Sequence, residues 1–440
     1  MEIKIRDISQ EGLGIGSTST GHVYFIENTL PGERILAKKI SKHEAQVEKY
    51  LDVSADRQTP PCPWFPRCGA CQLQHMDYQA SLRWKHKHVA DCLERIAKID
   101  VQHIATCAKN SIARPSPKLW HYRNNSRYQV LAQEGQPPKT GFHQFRSLTL
   151  VDQETLGCLL VSPVAEKIRI AFRDFIVKHN VMPSDTPQML QVRDSETSGD
   201  ILIVLYFTGK TIDFTLWQTW AKELTPQVSL IVRYGKDFQN SRILAGKNYH
   251  IEYLNSIPYQ VEYSSFFQIN PKQTEQLQNT LVSLVKYSKE SAPQNVWDIY
   301  GGTGTLGLPF ATEGSHVKVF ELHQTAEEFG LKQATMQNLS DKFTYVLGDA
   351  SKTVNAELRS SKKPDLIITD PPRQGLSADL IDTLLSIGAP TWAYVSCDPA
   401  SLARDLKKIL ASGYHLEAWE AFDMFPWTSH VESVVLIEKK

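Results

Sequence analysis

The 440 residues carry 48 Lys+Arg against 48 Asp+Glu and are 41% hydrophobic, an ordinary globular composition in a chain long enough for two or three domains. No apolar run approaches the roughly 18 residues that a bilayer crossing needs, and the opening MEIKIRDISQ is charged where a signal peptide would be apolar, so a cytoplasmic protein is expected. The balanced charge does not advertise a nucleic-acid partner, which would have to be met by local basic patches.

Residues 1–55 read as short strands with glycine turns, the pattern of a small β-barrel: Glu2–Ile8, the run Gly12-Leu-Gly-Ile-Gly16, His22–Glu27, Pro31-Gly32 and Glu33–Ile40. A central segment, 56–265, opens with Pro60-Pro61 and three clustered cysteines. A helix is expected over Tyr78–Ala97, where Leu82, Val89, Leu93 and Ile96 share a face. Two basic patches stand out: Arg83, Lys85 and Lys87 with His86 and His88, then Arg114, Lys118, Arg123 and Arg127 interleaved with Trp120, Tyr122 and Tyr128. Strands such as Ile201–Phe207 and Val228–Arg233 follow. From 266 to 440 the rhythm changes. Asn270-Pro271 caps a helix, and strands Val296–Tyr300, His316–Phe320, Phe343–Leu347, Asp365–Thr369, Trp392–Ser396 and Ser433–Ile437 alternate with helical patterns. That alternation predicts βαβ units around a mostly parallel sheet, giving an α/β multidomain chain.

Asp298-Ile-Tyr-Gly-Gly-Thr-Gly-Thr-Leu306 ends one strand and opens a helix. Glycines there let the backbone approach a ligand at a partly positive helix end. Glu321 ends the next strand, where a carboxylate can take both hydroxyls of a ribose. Without Gly-Lys-Ser/Thr the loop is no phosphate-cradling P-loop, while NAD stays open as a ligand. Thr369-Asp-Pro-Pro-Arg-Gln-Gly375 sets Asp370 at a stiff corner. In Tyr394-Val-Ser-Cys-Asp-Pro-Ala400, Cys397 precedes a helix N-terminus, which favours a thiolate. Glu432 enters an apolar strand, where a carboxylate is costly unless paired or titrating near neutrality, as suits a general base. The seven cysteines lack an export signal, so no disulfide framework is expected. Cys62-x5-Cys68-x2-Cys71, with Cys158 far along the chain, offers four thiolates to an iron–sulfur cluster or a structural zinc.

In these motifs the chain resembles the uracil-5 RNA methyltransferases, specifically the branch with a TRAM domain and an iron–sulfur cluster that includes 23S rRNA enzymes. The resemblance spans nearly the whole chain. It implies an OB-like TRAM barrel over residues 1–55, matched in Gly12–Gly16 and Leu30-Pro-Gly-Glu33. A cluster and RNA-binding domain over 56–265 and a Rossmann-like S-adenosylmethionine-dependent domain over 266–440 would follow. It implies a [4Fe–4S] cluster on Cys62, Cys68, Cys71 and Cys158, and cofactor contacts at Gln268, Tyr300, Thr305, Glu321 and Asp370, with Asp349 the candidate on the third strand. Phe266 would pack against the target base, Cys397 would be the nucleophile and Glu432 the base. The chain departs from the family at Gly301, where many members have cysteine, and at Thr305, a common asparagine.

The chemistry of uracil orders these roles. Carbon 5 is a poor nucleophile until a thiolate adds at carbon 6, after which carbon 5 can take a methyl group. A base then removes the carbon 5 proton and the thiolate leaves. The uridine must leave its stack, so an unpaired loop or a flipped base is expected. The resemblance implies transfer to a 23S rRNA uridine, and a monomer needing no protein partner is expected. Rivals are the tRNA T-loop uridine, a cytosine-5 enzyme, a non-catalytic iron–sulfur RNA-binding or ribosome-assembly factor and, more distantly, a NAD enzyme.

Overall fold

The computed structural model describes residues 1–440 except 154–155, 210–211, 225–227, 289–291 and 360–361. At the N-terminus Glu2–Ile8, Gly14–Ser17, Val23–Ile26, Arg34–Lys39 and Glu44–Asp52 close into a barrel, with the fifth strand between the third and the fourth. Alternation drives it: Ile3, Ile5, Ile26, Ile35 and Ala37 point inward and fill the barrel. Gly14 and Gly16, expected in a turn, lie in a strand instead. A Cβ at Gly14 would fall 2.0 Å from Thr29 Oγ1, and one at Gly16 would fall 2.5 Å from Ile3 Cγ2, so these glycines make room for the core.

The central sheet runs in the order Asn240–Ala245, Val228–Tyr234, Ile201–Phe207, Met189–Asp194, Asn125–Leu131, Lys139–His143, Leu150–Asp152. Helices Pro163–Lys178 and Phe214–Glu223, N-capped by Ser162 and Asp213, lay Phe172, Phe175, Trp217 and Trp220 on Leu190, Val192, Ile203 and Leu205 of that sheet.

The third layer system is a seven-stranded sheet ordered Phe343–Leu347, His316–Glu321, Asn295–Ile299, Leu366–Thr369, Thr391–Ser396, Glu432–Lys439, Tyr414–Phe422. The first five strands are parallel and the last two antiparallel. Successive residues bury opposite faces: Trp297, Ile299, Ile367 and Trp392 join one core, Val296, Ile368, Ala393 and Val395 the other. The chain order reverses at Asn295–Ile299, and such a switch point opens a crevice at the strand C-termini. Tyr414–Phe422 is a strand the sequence reading left out.

Packing crosses the boundaries expected at 56 and 265. Helix Tyr78–Arg95 sets Leu82, Val89 and Leu93 into one core with Leu402, Leu406 and Trp419. Hairpin Tyr249–Leu254/Ile257–Glu262 packs Leu254, Tyr259 and Val261 against Leu277 and Leu281 of helix Pro271–Ser288. Both elements carry apolar faces that the C-terminal layers cover.

The basic patches resolve differently from their appearance in sequence. Lys85 is fully buried and pairs with Asp423, Arg83 pairs with Asp56, and Lys87 bridges Asp7 and Asp91. In the second patch Arg114 holds Glu420 and Lys118 holds Glu196, while Tyr122 and Tyr128 are core residues. Among the described residues no helix is long and apolar enough to cross a membrane.

Candidate active site

Register places five sequence-predicted residues at one edge of the C-terminal sheet. Ile299 pairs with both Phe320 and Thr369, so Tyr300, Glu321 and Asp370 emerge side by side. Ser396 pairs with Ser433 across the antiparallel junction, so Cys397 leaves its strand where Glu432 enters the next one. The glycine-rich turn is tight. Tyr300 holds φ +62°, a conformation non-glycine residues rarely take, and Gly302 and Gly304 hold +57° and +79°. A Cβ at Gly304 would strike Phe343 at 2.3 Å, and one at Gly301 would lie 2.7 Å from both the Asp298 carboxyl and Val319. A cysteine at Gly301 would have to displace those neighbours.

Carboxylates organise this turn. Asp298 is fully buried, its Oδ2 accepts from Gly307 N at 2.9 Å, and its Oδ1 has no partner. Burial, then Asp370, push its carboxyl up to about 8. Glu321 Oε2 accepts from Gly302 N at 3.0 Å, and Oε1 from Leu322 N and His323 N at 2.8 and 2.9 Å, which fixes the carboxylate at the strand end. Asp349 caps helix Ala350–Glu357, accepting from Ser351 N at 2.8 Å. Asp349 also lines a cavity of about 520 Å³ whose walls include Tyr300, Leu322, Pro372, Leu376 and Arg404. Its size suits a nucleoside-bearing ligand.

Beside it lies the thiol–carboxylate pair. Cys397 is partly buried, and burial followed by Glu432 and Asp370 pushes its thiol up to about 12, with Arg373 opposing. Glu432 is 2% exposed, its Oε1 has no partner, and burial and Asp370 hold it well above the usual carboxylate range. Burial pushes Asp370 up to about 7. Asp398 caps helix Pro399–Leu410 through Ser401 N at 2.8 Å, so the thiol stands at that helix's N-terminus as expected. Segment 423–431, leading into Glu432, is pinned from the rest of the chain. Lys85 Nζ donates to Asp423 and to Phe425 O, and Gln72 N and Leu73 N both donate to Trp427 O.

Other predicted residues lie around this edge. Segment Phe266–Asn270 leads into helix Pro271–Ser288, whose cap Asn270 Oδ1 accepts from Gln273 N at 3.3 Å. Gln268 on it is half-buried and Phe266 is 77% exposed. Neither Gln268 nor Thr305 lines the 520 Å³ cavity; the Thr305 carbonyl accepts from Gln278 Nε2 at 2.7 Å. Sequence reasoning passed over Asp298 and Arg373, although both stood in the quoted motifs as the charged residues nearest glycines and prolines.

Cys62, Cys68 and Cys158 are buried and Cys71 is half-buried. They lie close enough to influence one another: Cys68 feels Cys62, while Cys71 feels Cys158 and Cys68. A tetrahedral zinc with Zn–S near 2.3 Å would hold its sulfurs about 3.8 Å apart. Among the described residues no three of these sulfurs come within 4.8 Å of one another, whereas His415, Glu417 and Glu438 do so at a separate place on the last two strands.

A model of the tRNA (uracil-5-)-methyltransferase family matches residues 77–440. An uncharacterized RNA methyltransferase of Halalkalibacterium halodurans is 31% identical over 100% of this chain and 97% of its own length. Another from Listeria monocytogenes is 30% identical over 99% and 97%. The crystal structure of Pyrococcus abyssi tRNA (uracil-54, C5)-methyltransferase with S-adenosyl-L-homocysteine superposes with a TM-score of 0.74 over 99% of this chain and 100% of its own, at 22% identity. The chain thus belongs to the RNA uracil-5 methyltransferase family, whose members use S-adenosylmethionine.

Proposed function

We propose that the protein methylates carbon 5 of a uridine in 23S rRNA through a covalent bond between Cys397 and carbon 6. The observation that carries this reading is the register placing Cys397 and Glu432 across one strand junction, beside a nucleoside-sized cavity. Tyr300 and Asp349 on the cavity wall, with Glu321, Asp370, Gln268 and Thr305 around it, are the residues to hold the cofactor. S-adenosylmethionine supplies the methyl group there. Cys397, once it has given up its proton, adds as the thiolate to carbon 6, and the carbon 5 made nucleophilic in this way takes the methyl group. Glu432, raised by burial, then takes the carbon 5 proton, because a carboxylate with a raised pKa is the stronger base. Expulsion of Cys397 restores the ring. Phe266, exposed ahead of helix Pro271–Ser288, packs against the uracil. Cys62, Cys68, Cys71 and Cys158 hold a [4Fe–4S] cluster that supports the fold and takes no part in the transfer, which moves no electrons.

The Pyrococcus abyssi enzyme acts on tRNA, and its likeness over the whole chain favours a second substrate, the T-loop uridine. Mass-spectrometric mapping of methylated uridines in rRNA and tRNA, from cells with and without the gene, separates the two. Loss from 23S rRNA is the expected result. Loss from the T-loop alone would replace the substrate, and no loss anywhere would overturn the activity.

A further inference from the structure

One turn of the N-terminal barrel touches the chain on both sides of the thiol–carboxylate pair. Residues 9–13 follow strand Glu2–Ile8 and are closed by their own bonds. Ser9 N donates to Leu13 O at 2.7 Å, Gly12 N to Ser9 O at 2.8 Å and Leu13 N to Ser9 Oγ at 3.2 Å. From this turn Gln10 Nε2 donates to Asp398 Oδ2 at 2.5 Å, across 388 residues of chain. Asp398 directly follows Cys397, and its two oxygens are divided between two donors. Oδ1 accepts from Ser401 N at 2.8 Å and so starts helix Pro399–Leu410, while Oδ2 is held by Gln10. Two residues further on, Gly12 holds φ +81°. A Cβ there would lie 2.6 Å from Gln72 Cβ and 3.3 Å from Ser429 Cβ, so glycine is what lets the turn close on this surface. Ser429 stands three residues before Glu432, and its N donates to Gln72 Oε1 at 3.4 Å.

The barrel is held in place by other contacts. Its Ile8 and Leu30 share a core with Leu73, Met76, Ala80 and Trp84. Its Glu33, 0% exposed, meets Arg57 Nε at 2.6 Å, and its Asp7 meets Lys87 at 3.0 Å. Beside these, a single hydrogen bond from an exposed glutamine adds little to docking. Its effect falls on Asp398. That carboxylate is among the charges that raise the Cys397 thiol, and an N–H donated to it draws part of the charge away from the sulfur. His88 on helix Tyr78–Arg95 also feels Asp398, but burial pushes it down, so it brings no positive charge at neutral pH to take the place of Gln10. Nucleophile and base must also be aligned, and small misplacements of reacting groups cost rate steeply.

We propose that the barrel turn 9–13 is a positioning element for the transfer step, in which Gln10 sets the segment carrying Cys397 and Gly12 seats the segment leading to Glu432. The inference rests on the reading of Cys397 and Glu432 as nucleophile and base. The barrel then acts on turnover itself, apart from any hold it has on RNA.

The test compares the full-length protein with Gln10→Ala, Gln10→Glu, Gly12→Ala and a control, Lys87→Met, which cuts a tie of the barrel and touches neither segment. On RNA from cells lacking the gene, Gln10→Ala should lower kcat at least about fivefold, as misalignment does, and leave KM for RNA within about twofold. Alkylation of Cys397 by iodoacetamide at pH 9, which needs no methyl transfer, should slow from wild type to Gln10→Ala to Gln10→Glu as the thiolate fraction falls. A barrel that merely came loose would uncover the thiol and speed alkylation, so the sign separates positioning from loss of structure. Gly12→Ala should accumulate the covalent RNA adduct at Cys397, because its base is displaced; should that variant fail to fold, the exposed Gln10 variants still decide. Unchanged kcat and alkylation, a loss confined to KM for RNA, faster alkylation, or a Lys87→Met that matches Gln10→Ala would each overturn the proposal. If the wild-type protein methylates no RNA, the proposed activity falls, and the order of alkylation rates alone then upholds or overturns the link between Gln10 and Cys397.

Discussion

Burial, and after it the charges around Cys397, favour the thiol over the thiolate. Glu432, Asp370 and Asp398 all raise it, and Arg373 opposes them. Below the raised pKa the thiolate fraction climbs about tenfold per pH unit. Alkylation of Cys397 by iodoacetamide, read by peptide mass spectrometry, should accordingly be slow at pH 8 and still rising at pH 10. Arg373→Gln should slow it further, and a plateau below pH 9 would refute this account. Glu432→Gln tests the other half of the pair. Addition and methylation can proceed while proton removal fails, so a covalent RNA adduct at Cys397 should accumulate on a denaturing gel. Free, fully methylated RNA from that variant would remove Glu432 from the role of base.

Among the elements, the segment between the last two strands depends on a lysine that sequence placed on a basic surface. Lys85 is 0% exposed and meets Asp423, also 0% exposed, so the pair is a buried clamp on the approach to Glu432. Removing one partner of a buried pair costs roughly 3–5 kcal/mol, because the other charge is left uncompensated. Lys85→Ala should lower stability by that order in urea unfolding, and Lys85→Met with Asp423→Leu should recover most of it. Periodicity revealed the helix that carries Lys85, since Leu82, Val89 and Leu93 mark its buried face. It could not reveal that Lys85 shares that burial, because a side chain's partner 338 residues away leaves no local trace. The strand Tyr414–Phe422 was legible in principle, as Tyr414, Leu416 and Ala418 alternate with His415 and Glu417. The parallel strands announced themselves as short apolar runs, which put Glu321, Asp370 and Cys397 at strand ends, while Glu432 stood out as a carboxylate entering an apolar strand and Tyr300 came from the family resemblance. Asp298 and Arg373 were missed because their importance comes from what they face across the turn.

On the scale of the whole molecule, three sheets are tied through segments that sequence assigned to separate units. The cysteine loop donates from Gln72 and Leu73 to Trp427, and Trp427 stacks on Trp120 of the central region with ring centroids 4.7 Å apart. If the four cysteines hold iron, protein purified without oxygen should carry it, with the visible absorption of an iron–sulfur cluster. Cys158→Ala should lose both, with a lower melting temperature, since cluster binding and folding are linked. Zinc in place of iron by elemental analysis would contradict the cluster.

The strand order has one more consequence. Glu432–Lys439 lies between Thr391–Ser396 and Tyr414–Phe422, both of which precede it along the chain. On the proposed mechanism, nucleophile and base face each other only when that strand takes its place between the other two. A chain caught before that step has a nucleophile with no base across from it. Competence for turnover, on that mechanism, thus depends on the strand that completes this part of the sheet.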